Sequence, residues 1–131
     1  MFGHERFKAY QLSIEFVKIA LQLLDQIPKG NRNLQDQFKR AAISIPLNLA
    51  EGSGKTTNKD KLKFYAIARG SVMECAAICD VIKLTENRFE AQATDAKKLL
   101  EQIARILSSI CLKKTEAETR SKTRARTRTK D

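Results

Sequence analysis

The sequence predicts an all-α fold, a bundle of four helices, on two observations. Four stretches of the 131-residue chain repeat apolar residues at steps of three and four, the period of an α-helix. The first two stretches carry two apolar rows each rather than one. A helix with two such rows must touch two neighbours, which a bundle supplies. A chain of this length forms one domain with one core.

Helix one is predicted over residues 7–27. Phe7, Tyr10, Ile14, Val17, Leu21 and Leu24 make one row, and Leu12, Phe16, Ile19, Leu23 and Ile27 the other. The aromatics Phe7, Tyr10 and Phe16 are in phase with these rows and read as core. Residues 28–33, PKGNRN, form the first loop. Asn33 is the expected N-cap of helix two, and Asp36 then faces the positive end of that helix.

Helix two is centred on residues 37–52, QFKRAAISIPLNLAEG. Phe38, Ala41, Ala42, Ile45 and Leu49 share one face, and Ile43, Leu47 and Ala50 a second. What remains is a narrow polar row of Gln37, Arg40, Ser44, Asn48 and Glu51. A surface helix of a small monomer shows one apolar stripe and a broad polar face. The reverse pattern here predicts a helix whose polar row meets another polar row or another subunit, and so a homo-oligomer. Pro46 removes one backbone donor and is expected to kink the helix near Ala42. A stop at Ile45 is the alternative, but the apolar rows keep their phase across Pro46. Gly52 is expected to end the helix in a left-handed conformation. The run GSGKTT ends like a phosphate-binding loop, but that pattern requires glycine where Leu49 stands, and a strand before it.

Helix three is predicted over residues 58–85, capped by Thr57 with Asp60 in its first turn. Tyr65, Ala68, Val72, Cys75, Cys79 and Ile82 form its core row, widened by Phe64, Ile67, Ser71 and Ile78. Gly70 sits mid-helix, where glycine costs about 1 kcal/mol relative to alanine. Close approach of Ala41, Ala42 and Ser44 would account for it. Ser44, Asn48 and Glu51 could then join Ser71 and Glu74 in one polar seam, with Arg40 and Arg69 as the cationic partners that buried carboxylates need. A catalytic reading pairs Glu51 with Glu74 as acid and base. The chain offers no activated nucleophile beside them, and its one histidine, His4, lies at a frayed end. The seam therefore reads as structural, and no enzyme activity, metal, cofactor or small-molecule substrate is expected. Cys75 and Cys79 share a helical face without nearby ligand partners. With Cys111 they read as small core hydrophobes, and their odd number argues against a disulfide framework.

Residues 85–94 read as a polar link. Helix four follows over residues 95–113, with Leu99, Leu100, Ile103, Ile106, Leu107 and Ile110 as its core face. The bundle domain is thus residues 1–113. From residue 114 apolar side chains disappear, and TRSKTRARTRTKD alternates Arg or Lys with Thr, Ser or Ala. Such a segment cannot offset its ordering entropy, so residues 114–131 are expected to be a disordered basic tail.

Net charge is +10, which favours polyanionic partners. Residues 113–131 hold eight basic and three acidic side chains, so half of that charge lies in the last nineteen residues. No apolar run is long enough for a membrane span, and the first ten residues lack the apolar core of a secretory signal. A cytoplasmic location is expected.

QFKRAAISIPLNLAEGSG and FYAIARGSVME together resemble the four-helix-bundle proteins encoded within intervening sequences of bacterial 23S rRNA genes. The matching positions are Gln37, Arg40, Ala41, Ser44, Ile45, Pro46, Asn48, Ala50, Glu51 and Gly52, then Phe64, Ala68, Gly70, Ser71 and Glu74. The resemblance implies an up-and-down antiparallel four-helix bundle that assembles as a ring-like homopentamer. The related accessory protein of diversity-generating retroelements implies a reverse transcriptase with its template RNA as partner. The polar lead-in at residues 28–36 and the basic tail depart from the family pattern, and the family supplies no catalytic residues to carry over. The expected function is a non-enzymatic oligomeric scaffold binding nucleic acid, RNA by resemblance. Lys55, Lys59, Lys61 and Lys63, with Lys114, Arg120, Lys122, Arg124, Arg126, Arg128 and Lys130, are the expected phosphate contacts. The alternative is an adaptor that docks an acidic protein without touching nucleic acid.

Overall fold

The computed structural model describes the backbone of residues 1–28 and 30–129, and their side chains outside residues 112–118 and 125–129. Four helices carry the fold: α1 (Lys8–Gln26), α2 (Arg32–Ser53), α3 (Asn58–Thr85) and α4 (Glu90–Thr129). Short 3-10 helices, Gly3–Arg6 and Asn87–Phe89, precede α1 and α4. Each helix packs on the next and α1 closes on α4. Contacts between α3 and α4 keep an antiparallel register: Lys97 Nζ donates to Asp80 at 2.7 Å, and Arg69 Nε to Ser108 Oγ at 2.8 Å. Eleven residues back along α3 are eleven residues forward along α4. This is the up-and-down bundle that the resemblance implies, built from the four helices that the periodicity predicts.

The core forms where the apolar rows meet. Phe16, Leu23, Phe38, Ile45, Leu49, Ile82, Leu100, Ile103 and Leu107 are buried. The Phe16 and Phe38 rings meet edge to face at 6.1 Å. Burial of each such side chain stabilises by about 1.5–3 kcal/mol. All six residues of the expected α3 core row are inside. Of the two rows on α1, the one through Leu12, Phe16 and Leu23 is core, and the other is half-buried, with Ile14 and Leu21 exposed. Burial pushes the Cys79 thiol up to about 11 and that of Cys75 higher still, so both remain neutral packing groups.

Several boundaries differ from expectation. The N-cap of α2 is Asn31, whose side-chain oxygen accepts from the Leu34 amide at 3.3 Å. Gln35 Nε2 donates to the carbonyls of Ile27 and Pro28, so the polar lead-in is the first turn of α2 tying down the loop. Asp36 accordingly lies beyond that first turn. The link after α3 is mostly helical, because Phe89 must turn inward to be buried and α4 starts directly after it, burying Ala93 and Ala96. The expected disordered tail is corrected in the same way: α4 continues to Thr129 as a helix of 40 residues. No glycine or proline interrupts residues 90–129, and Ala, Glu, Lys and Arg have high helix propensity.

Helix α2 passes through Pro46 without stopping. Gly52 is not a left-handed terminator, since it lies inside the helix and no glycine has positive φ among the described residues. Its role is close packing. A Cβ on Gly52 would lie 2.7 Å from Tyr65 Cε1 and 3.1 Å from Phe64 Cβ. Gly70, expected at the close crossing, has open space where its Cβ would be.

The two glycines therefore predict opposite outcomes. Gly52→Ala is expected to destabilise, overpacking of about 1–3 kcal/mol exceeding the gain in helix propensity. Gly70→Ala is expected to stabilise by about 1 kcal/mol. Urea unfolding of both variants against the parent checks this, and equal midpoints would remove the Gly52–Tyr65 contact as the reason for that glycine.

Candidate nucleic-acid interface

Antiparallel order brings the start of α1, the end of α2, the start of α3 and the exit of α4 to one end of the bundle. Tyr65 is the junction: its ring lies 5.5 Å from that of Phe7, and its hydroxyl 3.2 Å from Ser53 Oγ. The four lysines predicted to bind phosphate sit at this end, and they divide into two kinds. Lys61 Nζ donates to the Ser53 carbonyl at 3.0 Å, placing a cation on the negative end of α2. Lys55 lies 3.4 Å from Glu51 and 5.1 Å from the centre of the Phe64 ring. Lys59 and Lys63 are exposed and make no ion pair or hydrogen bond among the described residues. These two are the free cations of the loop and first turns.

The register of α3 with α4 locates the basic run. Ser108 lies beside Arg69, so eleven residues further on, Thr119 is level with Asn58, where α3 begins. Residues 120–129 then extend about 15 Å past the bundle, at 1.5 Å per helical residue. Arg120, Lys122 and Arg124 are exposed there. The side chains of Lys114, Arg126 and Arg128, and all of Lys130, lie outside the described residues.

The expected polar seam between α2 and α3 is only partly assembled. Ser71 Oγ donates to Ser44 Oγ at 2.9 Å, and Asn48 Nδ2 to the Ser44 carbonyl and hydroxyl at 2.8 and 2.9 Å. Gln37 Nε2 donates to Glu74 at 3.0 Å, a contact the sequence reading missed although Gln37 stands in the same polar row. Above them opens a groove of about 560 Å³ lined by Asn33, Asp36, Gln37, Arg40, Ser44 and Glu74, among others. The other expected members are elsewhere. Glu51 is exposed on Lys55, Arg69 faces α4 through Ser108, and Gly70 is exposed. Gln37, the partner of Glu74, is fourteen residues from Glu51 along α2, about 21 Å. The two carboxylates therefore cannot act as an acid/base pair. No group of His, Cys, Asp and Glu able to hold a metal occurs among the described residues.

A sequence model of the 23S rRNA-intervening sequence proteins matches residues 5–109. The chain belongs to the 23S rRNA-intervening sequence protein family. The match ends before the basic run begins. Among solved structures, the chain is similar to a protein of unknown function from the S23 ribosomal protein family of Bacteroides thetaiotaomicron. The TM-score is 0.72 at 20% identity, covering 79% of this chain and 97% of that one. No curated protein matches the chain. It shares its fold with that solved structure, and no helix among its described residues is long and apolar enough to cross a membrane.

The division among the lysines is testable by stability. Lys61→Met is expected to cost about 0.3–1 kcal/mol, the usual worth of a cation on a helix C-terminus. Lys59→Met is expected to stay within about 0.5 kcal/mol of the parent, as exposed substitutions do. Chemical unfolding measures both, and an equal loss from the two would show that Lys61 has no special bond to α2.

Proposed function

We propose that this protein is a non-enzymatic, homo-oligomeric helical scaffold that binds nucleic acid through its basic end, with RNA as the favoured ligand. The observation that carries this reading is the convergence of Lys59, Lys63 and the basic extension of α4 at one end of a chain of net charge +10. Alternating cations and small polar residues suit a phosphate backbone more than base edges. Membership of a family named for intervening sequences of 23S rRNA favours RNA. The retroelement resemblance adds a reverse transcriptase with its RNA as the complex in which such a scaffold would serve.

Assembly is supported by an exposed stripe on α3. Ala66, Gly70, Met73, Ala77, Val81 and Leu84 recur at steps of three and four and all are exposed, Leu84 at 85%. Small residues in such a stripe let another helix approach. The family resemblance favours a ring of five. Linked copies would multiply weak phosphate contacts into avidity.

Two measurements test the reading. The variant Met73→Lys with Leu84→Lys is expected to sediment as a smaller species than the parent, and a parent that is monomeric at micromolar concentration would refute assembly. A salt titration of RNA binding by the parent and by a chain lacking residues 114–131 tests the basic end. That truncation removes seven basic residues, so affinity is expected to fall. The slope of log affinity against log salt is expected to become shallower by about 0.7 for each single-strand phosphate no longer neutralised. Equal slopes would exclude the extension from binding. Failure of the parent to bind RNA at low salt would favour the adaptor for an acidic protein.

A further inference from the structure

The N-terminal segment carries an arrangement that phosphate binding does not use. Phe2 is 74% exposed, although burying its ring would be favourable. One face of that ring is stacked over His4, with centroids 5.8 Å apart and planes 14° apart. His4 in turn meets Tyr10 edge to face at 4.7 Å. The three rings form a short ladder with its outer member in solvent.

The segment bearing the ladder is tied down. The Glu5 amide donates to the Phe2 carbonyl at 3.2 Å, the Phe7 amide to the His4 carbonyl at 3.0 Å, and Gln11 Nε2 to the Glu5 carbonyl at 2.9 Å. His4 is therefore not at a frayed end. Phe7, one residue past the 3-10 helix, packs on Tyr65 two residues from Lys63, so the ladder stands at the basic end of the bundle. Arg6 and Lys8 are exposed on the same short stretch. An exposed aromatic face among cations is the arrangement by which proteins hold single strands, the cations tracking the backbone and the ring receiving a base.

We propose that Phe2, seated on His4 and Tyr10, is a stacking platform for an unpaired nucleobase of a single strand whose phosphates are held by the cations of this end. The proposal rests on the nucleic-acid reading above and adds to it a preference for single-stranded over duplex ligand. A base would extend the ladder by one member. Every base has a π-face, so the site would be tolerant of sequence.

The chain contains no tryptophan, so Phe2→Trp creates a single fluorescent reporter at the platform. The full-length variant is titrated with an unstructured oligouridylate, the matching oligodeoxythymidylate, an RNA duplex and inorganic polyphosphate. The expected result is quenching of tryptophan emission by both single strands, with none by polyphosphate. Phe2→Ala is expected to bind the single strands about five- to a hundred-fold more weakly, the usual loss for one stacked base, while duplex affinity and salt slope stay unchanged. Phe2→Trp should retain parental affinity. Two outcomes overturn the platform while leaving the phosphate reading intact: unquenched emission from a bound complex, or equal single-strand affinity of Phe2→Ala and parent. Loss of self-association in Phe2→Ala, with single-strand affinity kept, would overturn it in favour of a contact between copies. No binding of any polyanion by the parent at low salt overturns both readings.

Discussion

The contact between Gly52 and Tyr65 fixes the end of the molecule on which the functional reading depends. Glycine allows the ring to lie against the α2 backbone, and the ring then reaches Phe7 on one side and Ser53 on the other. The segment before α1, the end of α2 and the start of α3 are thereby held together. Lys61 adds a bond to the Ser53 carbonyl from the next turn of α3. Because α2 cannot shift along α3 without breaking this junction, the lysines of residues 55–63 and the N-terminal segment keep fixed positions on one surface. A larger residue at position 52 would separate the helices at that point, displacing cations rather than opening the distant core.

Electrostatics explains why the basic run lies beyond the bundle. Inside, side chains pack on neutral neighbours, and the polar groups between α2 and α3 are mainly hydroxyls and amides that satisfy one another. Five units of net positive charge could not be placed there without a desolvation cost. On the extension Arg120, Lys122 and Arg124 are exposed to water. Arg120, Arg124 and Arg128 recur at four-residue spacing, as do Lys122, Arg126 and Lys130. Like charges at that spacing destabilise an isolated helix by about 0.2–0.5 kcal/mol a pair. A polyanion running along the extension would relieve this repulsion and release its own counterions, and both effects weaken as salt rises.

The helices and their core rows were legible because apolar period marks them, whereas their up-and-down order was read from the family resemblance. The α3 core row and the Thr57 cap are local patterns with one reading, and both stand as expected: Thr57 accepts from the Asp60 amide at 3.2 Å. Features that depend on a partner helix were not legible. Gly52 and Gly70 look alike in sequence, each a glycine in or near a helix. Only the position of Tyr65 shows that one is packed and the other open. Asn31 and Asn33 are equally good caps, and the ties from Gln35 to the loop select the first. Glu51 and Glu74 each lie near the polar row, but α2 and α3 run antiparallel, so a residue late in α2 meets the start of α3 and never its middle. Arg69 is separated from Arg40 by its face of α3, which is turned to Ser108 of α4.

The surviving polar cluster indicates what kind of molecule this is. Ser44 accepts from both Ser71 and Asn48, so its hydroxyl oxygen is committed to the helix interface. A serine acting as a nucleophile would instead need a base to take its proton, and no such group contacts it among the described hydrogen bonds. A network of short neutral groups around Ser44 allows α2 and α3 to approach and fixes their register, and the one carboxylate bonded across them, Glu74, meets Gln37 at an exposed position. The exposed charges of the chain lie at its end and on its outer faces, where under the proposed function they would act through number and spacing. Recognition of that kind depends on how many cations are presented together. In the proposed scaffold it would gain from every additional copy and from every aromatic surface that a single strand can use.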